Sequence, residues 1–297
     1  MSADADFRVI RTAMADDARL VRTALAEDLA GYGDITSQLT VGAAVRGRAE
    51  IIARQDLVVC GLDLARIVMR EVDPEATFPA MVADGTQAKD KDRLATIEGP
   101  ARSILTAERT MLNLLSHLSG VATQSRRFAR AVAGTGAVVV DTRKTTPGLR
   151  VWEKKAVALG GCHNHRFGLF DMILIKNNHL EAAGGVRAAM DAVKQVGAHY
   201  IKVEVEVEGE ADLREAIACG ADLIMLDNQD LGSLKHLVEV ARGLKRDVVL
   251  EASGGVTLES VRAIAETGVD LISSSALTMG APPVDVSLRL HLDKLIA

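Results

Sequence analysis

The chain has 297 residues, of which 48% are hydrophobic and 25% are charged, and its formal net charge at pH 7 is -5. This composition is that of an ordinary globular protein, and the length allows one large domain or two. An acidic chain with 3% aromatic residues lacks the broad basic surface or the stacking platforms that nucleic-acid binding requires, so we expect no nucleic-acid partner.

The sequence contains no pattern typical of secretion or membrane insertion. Its N-terminal segment carries acids where a signal peptide needs a basic start, and no apolar run approaches the roughly 20 residues that cross a bilayer. Cys60, Cys162 and Cys219 are widely separated and form no CxxC pair, so neither a disulfide framework nor a zinc knuckle is indicated. We therefore expect a cytoplasmic protein with no membrane partner.

The first hundred residues predict a small region of mixed helices and strands. Leucines at near-helical spacing predict an amphipathic helix over residues 16–29, which ends before Gly31. The other elements predicted here are a helix over residues 62–72 and strands over residues 45–53, 57–60 and 93–98.

A further helix is predicted over residues 103–118, where leucines again recur at helical spacing. Arg109 lies four residues after Leu105 and three before Leu112, which places its guanidinium in the apolar stripe of that helix. A charge in such a position is costly unless it is paired. Arg109 is therefore expected either to meet a nearby acid such as Glu108, the interpretation that the residues themselves favour, or to reach an anionic ligand.

Beyond Gly136, apolar strand-like runs alternate with helical stretches, which predicts parallel strands joined by crossover helices. Strands are predicted over residues 137–140, 172–175, 200–207, 223–226, 248–250 and 269–272, with a further candidate at residues 162–166. Helices are predicted over residues 150–159, 180–196, 211–219, 231–244 and 258–267.

Polar side chains follow most of these strands, which is how (β/α) barrels assemble an active site at one mouth. No GxGxxG turn follows a strand, so a dinucleotide-binding sheet is disfavoured. With six or seven strands rather than eight, the chain is predicted to be an α/β protein with an N-terminal α+β domain and a reduced, six- or seven-stranded α/β barrel.

Residues 141–179 form a basic island in this acidic chain. They contain seven Lys or Arg and three acids, a net charge of +4. The cations stand beside apolar strands and turn residues, not at helical i, i+4 spacing with acids as on a solvated face. The island therefore predicts a site for a strongly anionic ligand.

Acidic residues recur in the run KVEVEVE at residues 202–208. Alternation along a strand puts Glu204 and Glu206 on one face with Lys202, and such a row inside a barrel is costly without a cation. Glu206 and Asp227 are therefore candidates to hold Mg²⁺ or ribose hydroxyls together.

A phosphate site is indicated at the turn of Ser253, Gly254 and Gly255. Two glycines let the backbone approach a ligand, and a helix predicted to start near Thr257 would supply free N–H groups. The residues after the last strand are a second candidate lip of the same pocket, namely Ser274, Ser275 and Ala276.

His163, His165 and His179 invite interpretation as a metal site. We disfavour it because Arg166 and Lys176 in the same stretch would repel a divalent ion, and no carboxylate is spaced as a companion ligand.

Seven motifs together strongly resemble the quinolinate phosphoribosyltransferases, also called carboxylating nicotinate-nucleotide pyrophosphorylases. They are ERTMLN at 108–113, DTRKTTPGLR at 141–150, GGCHNHRFGLFD at 160–171, LIKNNH at 174–179, EVEVE at 204–208, MLDN at 225–228 and EASGG at 251–255. The resemblance extends to EDLAGYGDITS near the N-terminus and so covers nearly the whole chain.

The resemblance implies an enzyme that joins quinolinate to phosphoribosyl diphosphate with Mg²⁺. The products would be nicotinate mononucleotide, diphosphate and CO₂, in de novo NAD synthesis. It also implies a homodimer with shared active sites. The domains expected are residues 1–115, an N-terminal α+β domain, residues 116–275, the catalytic barrel, and residues 276–297, a segment packing back on the N-terminal domain.

The resemblance also assigns roles to side chains, in three groups. The quinolinate carboxylates would be held by Arg143, His165, Arg166 and, from the neighbouring subunit, Arg109. Lys144 and Lys176 would face carboxylate or diphosphate oxygens, and Glu206 and Asp227 would hold the ribose hydroxyls and the metal. The 5′-phosphate would lie against Ser253, Gly254 and Gly255 and against the turn of Ser274, Ser275 and Ala276.

Four positions depart from the family pattern. Asn177 stands where an acid is usual, Cys162 replaces a glycine, Ser275 replaces a glycine and Met279 replaces a histidine. None of these changes removes a principal charged group.

Two alternatives remain from the sequence. A nicotinate phosphoribosyltransferase that does not decarboxylate has the same architecture, but Arg143 and Arg166 with His165 favour a dicarboxylate. A non-catalytic, ligand-binding relative would be expected to have lost one or more of these cations, and the chain keeps them all.

Overall fold

The computed structural model describes residues 16–197 and 200–292. The chain divides into two compact units. One, the N-terminal unit, comprises, among the described residues, 16–126, Thr146–Gly160 and 281–292. The other, the barrel unit, comprises Arg127–Thr145 and Gly161–Gly280.

The N-terminal unit is built on a three-stranded antiparallel sheet. Its first elements are α1 (Asp17–Leu29), α2 (Ile35–Thr40), β1 (Arg46–Ala53), β2 (Leu57–Val58), α3 (Leu62–Val72), β3 (Gln87–Ala88), β4 (Arg93–Pro100) and α4 (Ala101–Ala131). The helix α5 (Arg150–Gly160) also belongs to this unit. The central strand β1 pairs with β4 on one side and with the last strand, Val286–Leu292, on the other.

The barrel unit contains six parallel strands. Its elements are β5 (Val138–Val140), β6 (Ile173–Ile175), α6 (Asn177–Ala183), α7 (Val186–Gln195), β7 (Val203–Val207), α8 (Glu210–Ala218), β8 (Leu223–Asp227), α9 (Leu231–Leu244), β9 (Val249–Ser253), α10 (Val261–Ala265) and β10 (Leu271–Ser273). A 3₁₀ turn, Ser275–Leu277, follows β10, and Val286–Leu292 is β11.

The six strands are hydrogen-bonded in the order β5, β10, β9, β8, β7, β6. His163 forms a single parallel bridge with Val140 on the free side of β5, so the candidate strand at residues 162–166 is reduced to one bridge. Within the described residues, no ladder joins β6 back to β5. The predicted α/β class, with an N-terminal α+β domain and a reduced barrel, is confirmed.

Several predicted elements differ in extent from those observed. The helix predicted over residues 103–118 runs the full length of α4 and passes through the expected domain boundary at residue 115. The helix predicted over residues 180–196 is two helices, because Gly184 and Gly185 both have positive φ angles, 91° and 114°, that interrupt an α-helix. The C-terminal strand β11 is part of the N-terminal sheet.

The core of the barrel unit follows from the alternation along its strands. All five residues of β7 are buried, so its valines face the helices that cover the sheet while Glu204 and Glu206 point the other way. Cys60, Cys162 and Cys219 are all buried thiols that form no disulfide among the described residues. None of the helices in the described part of the chain is long and apolar enough to cross a membrane.

Candidate active site

A cavity of about 300 Å³ lies at the carboxyl ends of the parallel strands of the barrel unit. Strand ends from β5, β6, β8, β9 and β10 all contribute to it, as the barrel prediction requires. Its lining residues are Thr142, Arg143, Lys144, His165, Arg166, Leu174, Lys176, Met225, Glu251, Ser253 and Ser273. The structure thus brings together six of the residues singled out from the sequence.

Two guanidinium groups lie close together in this cavity. Burial lowers the pKa of Arg166, and the positive charge of Arg143 lowers it further. Arg166 is fixed at its head, because its Nη1 donates to the carbonyl oxygen of Met172 at 3.1 Å. A pair of guanidiniums held this close suits a ligand with two carboxylates, since each can bind one carboxylate in a bidentate manner.

The loop that carries Arg166 is anchored by a buried aspartate. Asp141 is fully buried directly after β5. One of its carboxylate oxygens accepts the backbone N–H of His165 at 2.9 Å, and the other accepts Nδ2 of Asn164 at 2.6 Å. Asp141 therefore acts as a structural support for the loop.

His165 contacts two glutamates that are both fully buried. Its Nε2 lies 3.0 Å from Oε2 of Glu204 on β7 and 3.3 Å from Oε2 of Glu251 on β9. Burial lowers the pKa of His165, but the hydrogen bonds and the charges of the two glutamates outweigh burial and raise the pKa to about 9. Burial raises the pKa of Glu204, and the neighbouring carboxylate of Glu251 adds to that rise.

Lys176 is paired on the other side of the site. Its Nζ donates to Oε2 of Glu206 at 2.8 Å, and the lysine side chain is 48% exposed. His179 accepts the backbone N–H of Lys176 at its Nδ1 and so caps helix α6. His179 is therefore a helix cap, and His163 is a bridge residue of the sheet.

The glycine turn after β9 has the predicted conformational freedom. Gly254 has φ +101° and Gly255 has φ +59°, and a side chain on Gly254 would collide with Asn228. The expected helix start near Thr257 is wrong, because α10 begins at Val261. Hydrogen bonds between Thr257 and Ser260 hold the intervening residues in a turn instead.

The residues after β10 form the 3₁₀ turn, which Ser274 braces. Its Oγ donates to the carbonyl oxygen of Val256 at 2.9 Å and accepts the backbone N–H of Ala276 at 3.2 Å. Ser274 is buried, while Ser275 and Ala276 are partly exposed. The side chain of Ser274 thus ties this turn to the segment after the glycines.

Glu206 and Asp227 lie at the carboxyl ends of neighbouring strands, β7 and β8. Asp227 accepts Nδ2 of Asn228 at 2.6 Å. Of the described residues that line the cavity, neither Glu206 nor Asp227 is one. Their oxygens are the donor type that Mg²⁺ prefers, so the residues present fit that ion.

Arg109 differs from its prediction. It is exposed on α4, while Ala107, Thr110, Met111 and Leu112 around it are buried. The prediction that its guanidinium lies in the apolar stripe is therefore wrong. Within the N-terminal unit, Arg109 lines a cavity with two acids, Asp28 and Asp34.

The sequence did not single out Glu251 and gave Glu204 no role of its own. Together with His165, they are the group of three metal-type ligands found among the described residues. The expectation that no carboxylate is placed as a companion ligand is therefore wrong for His165. The signal was present in the alternation of KVEVEVE, but the partner of Glu204 lies 47 positions further along the chain, at Glu251.

Comparison with known proteins decides the family. The model described as quinolinate phosphoribosyl transferase, N-terminal domain, matches residues 34–119, and the model for the C-terminal domain matches residues 121–289. The chain belongs to the quinolinate phosphoribosyl transferase family.

Relatives of this family resemble the chain over most of its length. A probable nicotinate-nucleotide pyrophosphorylase [carboxylating] of Synechocystis is 41% identical over 88% of this chain and 88% of its own, and that of Bacillus subtilis is 40% identical over 88% and 89%. The solved nicotinate-nucleotide pyrophosphorylase of Francisella tularensis superposes with a TM-score of 0.87 at 41% identity, covering 93% of this chain and 96% of that one.

Proposed function

We propose that the cavity of the barrel unit binds quinolinate and phosphoribosyl diphosphate and joins them with loss of CO₂. The chain is then a pentosyltransferase that makes nicotinate mononucleotide in NAD biosynthesis. The observation that carries this proposal is the Arg143 and Arg166 pair in a cavity that also contains Lys144 and Lys176. Quinolinate brings two carboxylates and its co-substrate brings a phosphate and a diphosphate, so the charges of ligands and site are complementary.

In this proposal, the basic and the acidic side chains of the site have different roles. Arg143 and Arg166, on the side of the cavity where His165 lies, orient the dicarboxylate so that its ring nitrogen faces C1 of the ribose. As the bond from C1 to the diphosphate breaks, its electrons leave with the diphosphate towards Lys144 and Lys176. Positive charge grows on the sugar, where the carboxylates of Glu206 and Asp227 stabilise it and hold the hydroxyls.

Decarboxylation needs less from the protein. Once the ring nitrogen is bonded to ribose it is cationic, and the electron pair left on C2 when CO₂ departs is stabilised by that adjacent charge. A proton from solvent then completes nicotinate mononucleotide. The Ser253, Gly254 and Gly255 turn, with Ser274, Ser275 and Ala276, is proposed to hold the 5′-phosphate throughout.

We propose Mg²⁺ as the cofactor, held by Glu206 and Asp227 together with the oxygens of the co-substrate. When bound, the ion would neutralise charge on the leaving diphosphate. Glu206 already engages Lys176 through one oxygen, so the lysine and the ion would share this carboxylate. A cytoplasmic location is also proposed, since buried cysteines that form no disulfide among the described residues suit a reducing compartment.

We further propose a homodimer in which Arg109 completes the quinolinate site of the other subunit. Support comes from the N-terminal unit, where Arg109 is exposed and lines a cavity together with Ile35, and where apolar side chains in and just before α2 are uncovered. Tyr32 is 81% exposed, Ile35 55% and Leu39 81%. Apolar side chains exposed to this extent are typical of a surface that a partner covers.

Intersubunit complementation tests the dimer. Arg109→Ala and Arg143→Ala should each be inactive, but their coexpression should restore about a quarter of wild-type activity, because half of the dimers would be mixed and carry one intact site. Sedimentation should give a dimer. Coexpression that restores no activity would contradict a shared site.

The reaction itself is tested by supplying phosphoribosyl diphosphate with either quinolinate or nicotinate. We expect CO₂ release and nicotinate mononucleotide from quinolinate, and no product from nicotinate. Product from nicotinate alone would establish the non-decarboxylating alternative instead. Binding of quinolinate without any turnover would favour the non-catalytic alternative.

A further inference from the structure

A buried hydroxyl contacts the main chain of a residue that lines the cavity. Thr278 directly follows the 3₁₀ turn Ser275–Leu277 and is 0% exposed. Its Oγ1 donates to the carbonyl oxygen of Lys144 at 2.7 Å, across 134 positions of the chain. Both residues belong to the barrel unit. The contact therefore joins the turn after β10 to the segment after β5.

The geometry assigns the hydroxyl proton of Thr278 to Lys144. The carbonyl oxygen of Ser275 also lies near Oγ1, at 3.4 Å, but it already accepts the backbone N–H of Thr278 at 3.2 Å. A threonine hydroxyl carries a single proton, and an O–H···O hydrogen bond typically spans about 2.7 Å. The carbonyl oxygen of Lys144 is therefore the acceptor.

Lys144 lies outside the regular elements of the barrel unit. Residues 141–145 form neither helix nor strand, so the ladder of β5 ends before them. The backbone N–H of Lys144 donates to Oγ1 of Thr142 at 3.0 Å, and its carbonyl oxygen accepts from Thr278. Threonine hydroxyls thus hold the main chain on both sides of Lys144, while its side chain is exposed and lines the cavity.

We propose that Thr278 is a positioning residue for Lys144. A lysine ammonium sits on a flexible four-carbon stem, so the place of the main chain decides what the ammonium can reach. By holding the carbonyl group of Lys144, Thr278 keeps the start of that stem at a fixed distance from the turn that precedes Thr278. Less ordering then remains when phosphoribosyl diphosphate binds and its diphosphate leaves. This inference rests on the proposed function for its substrate.

Kinetics of Thr278 variants provide the first test. Thr278→Val keeps the shape of the side chain and removes the hydroxyl, so kcat should fall about tenfold and the KM for phosphoribosyl diphosphate should rise about threefold. The KM for quinolinate should stay within about twofold of wild type. Thr278→Ser keeps a hydroxyl and should recover most of the loss. Thr278→Ala removes the hydroxyl without adding a methyl group, and it should show the same pattern as Thr278→Val.

Thr267 supplies a matched control in the same unit. It is buried, its Oγ1 donates to the carbonyl oxygen of Ile264 at 2.7 Å, and its backbone N–H donates to the same oxygen at 3.0 Å. Thr267→Val removes a hydrogen bond of equal length and should leave both KM values and kcat within about twofold of wild type. Equal losses in Thr267→Val and Thr278→Val, or wild-type kinetics in Thr278→Val and Thr278→Ala, would overturn the proposal.

A double-mutant cycle shows whether the effect passes through Lys144. In the Lys144→Ala background, Thr278→Val should lower kcat by less than about twofold, because the group that it positions is absent. A further tenfold loss in that background would mean that Thr278 acts independently of Lys144, and the proposal would be wrong.

Binding of inorganic diphosphate separates this inference from the proposed function. Titration calorimetry should give a Kd for diphosphate that is about fivefold higher in Thr278→Val than in wild type and unchanged in Thr267→Val. An unchanged Kd in Thr278→Val, or no binding by the wild-type protein, would overturn the inference. If the enzyme fails to use quinolinate while diphosphate binding depends on Thr278, the proposed function fails and the positioning of Lys144 stands.

Discussion

The two sides of the cavity hold their cations in different ways. On one side, Arg166 follows a loop that is fixed by fully buried acids, Asp141, Glu204 and Glu251. On the other side, Lys176 is half exposed, and its partner Glu206 is buried near the carboxyl end of β7. The first arrangement is set before any ligand arrives, whereas the second is a single ion pair in contact with solvent.

This difference corresponds to the two ligands. A flat, rigid dicarboxylate gains most from guanidiniums that are already in place, because little ordering remains to be done on binding. A diphosphate that must leave is served better by a cation that can change partners. Because the Lys176 side chain is half exposed, its ammonium can exchange the buried carboxylate of Glu206 for a diphosphate oxygen.

The largest expected effect lies on the fixed side. Arg166→Ala should lower kcat/KM for quinolinate by about 100-fold to 1,000-fold, because a bidentate contact to a carboxylate is lost. Arg166→Lys should recover little, since an ammonium cannot reproduce the two parallel hydrogen bonds. Lys235→Ala, an exposed cation of α9, serves as the control. An Arg166→Lys variant with wild-type kcat/KM would show that only charge matters.

The fixed side should also respond to pH in its stability. The pKa of His165 is raised to about 9, so the folded protein keeps a proton there that the unfolded chain releases near pH 6.5. The stabilisation is therefore complete below pH 6.5 and is lost as the pH rises through about 9, by at most about 3 kcal/mol in the free energy of unfolding. Urea unfolding across this range measures it.

A matched histidine supplies the control for that pH dependence. His236 is an exposed residue of α9 whose Nε2 lies 2.7 Å from Oε2 of Glu210. His165→Gln should flatten the pH dependence, whereas His236→Gln should leave it nearly unchanged. If both substitutions flatten it equally, burial of the cluster is not the cause.

The sequence predicted the barrel and most of the cavity because both depend on local patterns. Strand alternation and polar strand ends are readable over a few residues, and Arg143, Lys144 and Lys176 were found in this way. The cluster of His165, Glu204 and Glu251 could not be predicted in this way. Whether Glu204 faces a partner depends on which strand lies nearby in the barrel and in what register, and Glu251 is contributed by a strand two places away in the sheet.

Two helix predictions, one of a buried face and one of a starting residue, were wrong for related reasons. Arg109 was assigned to the apolar stripe because it stands at helical spacing from Leu105 and Leu112, yet Leu105 is itself only partly buried in α4. The buried face is set by what packs against the helix. Likewise, α10 begins only at Val261, after a turn in which Thr257 and Ser260 exchange hydrogen bonds between side chain and backbone.

The smallest expected effect concerns the exposed side, at Asn177. Its backbone N–H lies 3.4 Å from Oε1 of Glu206, and its Nδ2 donates to Glu208. Asn177→Asp removes that donor and adds a carboxylate near two others. We expect the Mg²⁺ concentration for half-maximal activity to fall about threefold, and the free energy of unfolding to fall by less than about 1 kcal/mol.

Asn178→Asp makes the same change of charge one residue further along α6, where the side chain is exposed. It should shift the Mg²⁺ requirement less, because its charge is not directed at Glu206 by the same backbone contact. Equal shifts in the two variants would mean that the Mg²⁺ requirement depends only on the net charge at this end of the barrel. If neither variant shifts the Mg²⁺ requirement, the ion lies away from Glu206. The contrast between the fixed side of the cavity and the exchangeable side would then depend on Lys176 alone.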